Sequence, residues 1–203
     1  MKKIREFGYL LIRPILCVLI FIFMRPRIYH KDNIPKKGGC ILVGNHLSNF
    51  DGIMIGYTTR RPIHFLAKKE LFDHWFFGPI VRFIGLISVD RKNKNPEAKE
   101  MALHCLEQEK LVAVFPEGTT NKTQNDIMPF KYGAVSFAYK SGKPILPFAI
   151  VNKPKLFRYK TKIVYGKPYF VKSDDLESEN KKLEEKVIKL IQEGRKYGKS
   201  KRT

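Results

Sequence analysis

The reading turns on residues 40–52, "CILVGNHLSNFDG". Four apolar residues, Cys40 to Val43, run into Gly44 and read as a strand. A new apolar run, Ile53 to Tyr57, begins just after Asp51 and reads as a helix. Between them lie His46 and, five positions on, Asp51. An imidazole in a turn can fold back over a helix start. A carboxylate in the first helical turn can then accept a hydrogen bond from one ring nitrogen. That bond fixes the tautomer and leaves the other nitrogen free as a base. "SNFD" also fits a capping box, with Ser48 as N-cap and Asp51 as the acid three residues on, so this segment alone leaves a purely structural role open.

The segments on either side alternate in the same way. "PIHFLAK", "LISVD", "LVAVFPEGTT", "KPILPFAIV" and "TKIVYGKPYFV" read as strands. "ELFDHWFFGPIVRFIG", "PEAKEMALHCLEQEK", "KYGAVSFAYKSG" and a stretch from Asp174 to about Gly194 read as helices, the last with Leu183, Val187, Leu190 and Ile191 on one face. Strands alternating with helices imply an α/β sheet covered on both faces. In such sheets ligands sit where strands end and loops begin. Three polar loops, at 45–51, 90–92 and 115–121, follow strand-like runs.

The chain has 203 residues, 39 Lys plus Arg and 19 Asp plus Glu, a net charge of +20 that favours anionic partners. Charge alone would also suit nucleic acid, but no recognition motif for it is present, and no specific nucleic-acid partner is expected. Cys17, Cys40 and Cys105 are widely spaced and suggest neither a disulfide framework nor a metal site. No metal and no cofactor are expected. The N-terminus, residues 1–27, is apolar between basic flanks, "MKKIREFGYLLIRPILCVLIFIFMRPR". It lacks the small-residue cleavage site of a signal peptide. A spanning helix needs about 20 apolar residues, and Arg13-Pro14 breaks this run. The expectation is a membrane-anchoring helix, bent near Pro14, lying in or dipping into one leaflet; a buried core helix is the alternative. "HKDNIPKKGG" then reads as a turn-rich linker.

The motifs now fall in order. "NHLSNFD" resembles the N-H-x4-D signature of the glycerolipid acyltransferases, most of all their bacterial 1-acyl-sn-glycerol-3-phosphate acyltransferase branch. "AKKELF" (67–72), "GLISVDR" (85–91), "FPEGT" (115–119) and "FKYGAVSFA" with "KPILPFAI" resemble that family's further blocks, from about residue 28 to 170. The resemblance implies an α/β fold with a mixed central sheet flanked by helices, a catalytic domain over 28–203, and transfer of a fatty acyl group to the sn-2 hydroxyl of 1-acyl-sn-glycerol-3-phosphate. The donor would be acyl-coenzyme A or acyl carrier protein, and the product phosphatidic acid. His46 and Asp51 would be the catalytic pair. Lys68 and Arg91 would grip the acceptor's phosphate, with Asp90 orienting that loop. Glu117, Gly118 and Thr119 would face the substrate. It also implies a peripheral or monotopic enzyme on the cytoplasmic face of the cell membrane, in contact with an anionic surface. Where the family continues FPEGT with Arg and Ser, this chain has Thr120 and Asn121, with Lys122 next. Another lysolipid or amphipathic alcohol as acceptor is therefore an alternative, and a non-catalytic basic membrane-binding module is a second. Trp75, Phe76, Phe77, Ile80 and Phe83 are expected in an acyl groove, at the membrane or in ordinary core packing. His30, His64, His74 and His104 have no matching motif and are expected to be structural.

Overall fold

The structure, a computed structural model, describes residues 7–90 and 96–197. Arg91, one of the expected phosphate ligands, lies outside these residues. Seven strands form one sheet: β1 (Arg27–Tyr29), β2 (Cys40–Gly44), β3 (Ile63–Lys68), β4 (Ile87–Val89), β5 (Leu111–Val114), β6 (Ile145–Val151) and β7 (Lys162–Tyr165). Their order is β1-β7-β6-β2-β5-β3-β4. All neighbours are parallel except β6 and β7. The sheet is mixed, as expected.

Period-two alternation sorts its side chains. Cys40, Leu42, Ile63, Phe65, Leu111, Ala113, Leu146, Phe148 and Ile163 face one side, where they meet Ile20 and Met24 of α1 (Phe7–Phe23) and its end, and Met54 and Ile55 of α2 (Asp51–Thr58). Ile41, Val43, Val112, Val114, Ile145, Ala149 and Val164 face the other. There they pack on α5 (Pro96–Glu107), α6 (Gly133–Ser141) and α7 (Leu176–Lys196). The strands are buried on both faces, which explains their near-continuous apolar sequences.

α1 has one buried and one exposed apolar side. Its inner side contributes Tyr9 and Ile20 to the interior, while Leu11, Ile15, Val18 and Ile22 on its outer side are exposed. Arg13 is not a charge awaiting lipid. Its Nε donates to the Thr59 carbonyl at 2.8 Å and its Nη2 to the Tyr57 carbonyl at 3.3 Å, at the C-terminal end of α2. A cation there satisfies carbonyls that the helix leaves unpaired and complements its dipole. α1 therefore shares the sheet's core. The expected boundary at residue 27 falls inside β1, a strand hidden in the sequence because its three residues sit within a basic flank. No helix among the described residues is long and apolar enough to cross a membrane.

The aromatic stretch after β3 forms two short helices, α3 (Lys69–Asp73) and α4 (Phe77–Phe83), rather than one. His74 Nδ1 accepts the backbone N–H groups of Phe76 and Phe77 at 3.2 and 3.4 Å across the turn between the two helices. The turn leaves Trp75, Phe76 and Phe77 exposed, Trp75 by 84%, while Ile80 and Phe83 are half-buried. Core packing does not hold for the three turn residues.

Candidate active site

β2 and β5 are parallel neighbours that end together, Val43 opposite Val114. The turn after β2 therefore meets the loop after β5, and the two polar motifs, 71 residues apart, interlock. His46 Nδ1 lies 2.8 Å from Asp51 Oδ2. The same oxygen accepts the backbone N–H groups of Leu47 at 2.6 Å and Ser48 at 2.8 Å. Asp51 is wholly buried, and its Oδ1 has no partner. The helix begins at Asp51 with Phe50 before it, so Ser48 is not its N-cap as expected, yet one carboxylate serves both the turn backbone and the imidazole. It reaches back to Ser48 N as the acid of a capping box does, and its remaining lone pair takes the imidazole. Ser48 Oγ accepts from Phe50 N at 3.3 Å, so the box is not reciprocal.

The ring of His46 stacks on Phe115, 4.3 Å between centroids and 17° from parallel. With Nδ1 on the carboxylate, Nε2 is left as the acceptor. It points toward Thr120 Oγ1 at 3.5 Å, at the long limit of a hydrogen bond. The side chain stays 15% exposed, against none for Asp51. An imidazole oriented by a buried acid, in a side chain that keeps some exposure, can serve as a general base.

The loop after β5 is a turn from Phe115 to Gly118, closed by Gly118 N on the Phe115 carbonyl at 3.0 Å, with Pro116 at its second position. Gly118 has φ +72°, which L side chains rarely adopt, and a Cβ there would lie 3.0 Å from Lys131 Nζ. Glu117 turns inward. Its Oε1 accepts His46 N at 2.8 Å and its Oε2 accepts Met128 N at 3.0 Å. Burial pushes its carboxyl above the ordinary carboxylate range, against those two hydrogen bonds. In this geometry Glu117 holds the two loops together. Thr119 is exposed. Asn121 N donates to the His46 carbonyl at 2.7 Å, and Asn121 Oδ1 accepts from Thr123 N and Oγ1. The departure from Arg-Ser thus builds a self-bonded loop beside the imidazole.

Two residues escaped the sequence reading. Asn45 is buried, donates from Nδ2 to the Ile150 carbonyl at 3.0 Å and accepts Ile150 N–H on Oδ1 at 2.8 Å. Its amide continues the ladder where β2 leaves the sheet, so the next residue, His46, starts from a fixed point. Asn at a strand's end is the available signal, as an amide offers both a donor and an acceptor. Lys131 brings an ammonium over Gly118 from thirteen positions farther along the chain, a placement only folding makes. Lys68 ends β3 at the same carboxyl edge of the sheet, exposed and without an ion pair among the described residues. His64 sits in the core with Nδ1 on the Gly85 carbonyl at 2.8 Å, and His30 bonds Glu193 and Tyr197. Both are structural, as expected. Burial pushes the Cys40 thiol up to about 12, so it is no thiolate nucleophile. Among the described residues no three His, Cys, Asp or Glu side chains gather to hold a metal.

The comparisons agree with this arrangement. The family model "Acyltransferase" matches residues 25–151. The 1-acyl-sn-glycerol-3-phosphate acyltransferase of Bacillus subtilis is 32% identical over 147 residues, covering 70% of this chain and 72% of that protein. That of Borreliella burgdorferi is 34% identical over 128 residues, 62% of this chain and 51% of its own length. The chain thus spans about half the length of some relatives it matches. The crystal structure of the 1-acyl-sn-glycerophosphate (LPA) acyltransferase from Thermotoga maritima superposes with a TM-score of 0.73 at 25% identity, covering 92% of this chain and 78% of that one. With the family model over more than half its length and the fold shared, the chain belongs to the acyltransferase family.

Proposed function

We propose that the protein transfers a fatty acyl group from a thioester of coenzyme A or acyl carrier protein to the sn-2 hydroxyl of lysophosphatidic acid, giving phosphatidic acid, as a peripheral or monotopic enzyme on the cytoplasmic face of the cell membrane. The observation that carries this reading is His46 Nδ1 bonded at 2.8 Å to the buried Asp51, with Nε2 left on the side of Thr120. Nε2 takes the proton of the acceptor hydroxyl as its oxygen attacks the thioester carbonyl. The C–S bond then breaks, and the imidazolium returns the proton to the departing thiolate. Asp51 compensates the transient positive charge. General base catalysis of this kind contributes about 10²- to 10⁴-fold. Positioning and oxyanion stabilisation supply the rest. Thr119 and Thr120 contribute backbone N–H groups without a partner among the described residues, which makes them the loop's spare donors for the oxyanion. No covalent acyl-enzyme is needed, since the acceptor brings its own nucleophile.

A phosphate on the acceptor needs cations. Lys68 and Lys131 support that role from the sheet's carboxyl edge, and Arg91 and Lys122 are further candidates. The second reading, a different lysolipid acceptor, rests on Thr120 and Asn121, neither of which supplies a charge. A panel of acceptors with one labelled acyl-coenzyme A, run on purified protein in detergent, separates the two. Lysophosphatidic acid is expected to exceed monoacylglycerol and lysophosphatidylcholine in kcat/KM by about tenfold or more, the value of one charge-assisted pair. Lys131→Ala is expected to reduce that preference. Equal use of the neutral acceptor would sink the phosphate assignment and leave acyl transfer standing.

A further inference from the structure

The loop between β6 and β7, residues 152–161, is not part of the site above, yet it opens on the same sheet edge. β6 runs parallel to β2, so Val151 lies toward the end from which the His46 turn emerges. β7 and β1 run the other way relative to β6, so Lys162 and Arg27 begin at that end. Two features coincide there. The first is a cavity of about 200 Å³ lined by Arg27, Asn152, Tyr159, Lys160, Lys162 and Tyr197. At about 30 Å³ per water, it has room for a phosphate group and a few waters. Three of its six residues are cations. Lys162 is partly committed, donating to the Gly194 and Tyr197 carbonyls at 2.8 and 2.5 Å. The side chains of Arg27 and Lys160 are exposed and have no acceptor among the described residues. Glu193, the acid that bonds a lining side chain, is held by Tyr197 Oη and His30.

The second feature is apolar. Leu156 and Phe157 at the loop's tip are 51% and 64% exposed. They are fastened to the end of α1. Phe157 N donates to the Phe23 carbonyl at 2.7 Å, the two rings meet edge to face at 5.3 Å, and Tyr159 Oη donates to the Ile22 carbonyl at 3.1 Å. The tip therefore continues the exposed outer row of α1, Leu11, Ile15, Val18 and Ile22. Unpaired cations and exposed apolar groups alternate along the loop, with Lys153, Lys155 and Arg158 between them. That pairing of chemistries matches one partner, a bilayer surface with anionic phosphate headgroups.

We propose that the cavity beside Tyr159 docks the phosphate headgroup of an anionic phospholipid in the bilayer, gripped by Arg27 and Lys160, while Leu156 and Phe157 enter the acyl region beside α1. This site is separate from the acceptor's. It lies two to three strands from β2, about 10–15 Å at the usual strand spacing, and the phosphate of a lysolipid is only a few covalent bonds from its hydroxyl. The site holds the enzyme at the surface with its His46 edge facing the lipid. The proposal rests on the membrane-facing reading of α1 and not on the acyl-transfer chemistry.

Co-sedimentation of the full chain with vesicles tests it. On phosphatidylcholine vesicles containing phosphatidylglycerol, Arg27→Gln with Lys160→Gln is expected to weaken binding about 30-fold, at about five- to sixfold for each charge near the surface. Lys181→Gln with Lys189→Gln removes the same charge from exposed positions on α7, across the sheet, and is expected to cost less than threefold. On pure phosphatidylcholine the first pair should bind like the parent, and Leu156→Ser with Phe157→Ser should weaken binding to both vesicles. Equal losses for the two charge pairs would overturn the site in favour of diffuse attraction. Saturable binding of inorganic phosphate in solution, lost in Arg27→Gln with Lys160→Gln, would overturn the lipid assignment. On detergent-dispersed lysolipid that pair keeps its activity, so failure here is distinct from failure of the acyl-transfer reading.

Discussion

The turn at 45–51 and the loop at 152–161 leave the same edge of one sheet, and they treat polar groups in opposite ways. In the turn, nearly every polar atom is taken up by the protein. Asp51 Oδ2 holds three donors, Glu117 two, and the Asn45 amide both groups of Ile150. In the loop, Lys153, Lys155, Arg158 and Lys160 have side chains with no acceptor among the described residues. The contrast separates a rigid constellation, which orients one nitrogen, from a solvated one, which keeps charge available for a partner. The arginines show the same division. Arg61 spends its guanidinium on the carbonyls of Pro35, Gly38 and Glu109 at 2.7 to 2.8 Å, whereas the exposed Arg158 side chain has no acceptor among the described residues.

The largest effect belongs to the rigid side. His46→Ala should lower kcat by about 10²- to 10⁴-fold in a labelled acyl-transfer assay and leave vesicle co-sedimentation unchanged. A loss in both would mean that the turn and the loop are not independent. A smaller effect is expected from the arginines, read by urea denaturation. Arg61→Ala leaves three carbonyls without their donor and should cost about 2 kcal/mol, while Arg158→Ala should stay within about 0.5 kcal/mol. Similar values for the two would erase the distinction between committed and available cations.

The smallest effect concerns pH. Burial raises the carboxyl of Glu117 in the folded state. The folded chain then holds a proton that the unfolded chain has released, over the interval between the ordinary carboxylate value and the raised one. Within that interval stability falls as pH rises, and outside it the group leaves the slope unchanged, the loss being complete above the raised value. Glu117→Gln should flatten this part of the stability curve, measured by denaturation at a series of mildly acidic pH values. An unchanged slope would mean that the hydrogen bonds from His46 N and Met128 N fully offset the burial.

Much of the fold was legible because its signals are local. The strands at Cys40, Leu111 and Ile145 are continuous apolar runs, and the stop at Gly142, with φ +63°, is a helix C-cap that only needs its own backbone. The opening stretch likewise gave the strand, the turn and the helix start at Asp51. β1 was illegible, because three residues in a basic flank become a strand only when β7 supplies its hydrogen bonds. The split of α3 from α4 also eluded the periodicity, since the extended backbone at His74 interrupts an otherwise apolar run.

The sequence by itself determined which elements exist and which residue types stand at the ends of β2 and β5. It did so through periodicity, turn chemistry and the spacing of histidine and aspartate, all of which act within a few residues. Only the tertiary structure decided what those groups touch. It set Arg13 on the carbonyls at the end of α2, gave Glu117 to the backbone of His46, carried Lys131 over Gly118, and left Arg27 and Lys160 without partners among the described residues. These outcomes depend on strand order, which brings together residues distant in the chain, and on burial, which makes an unpaired polar group costly in the interior and nearly free at the surface.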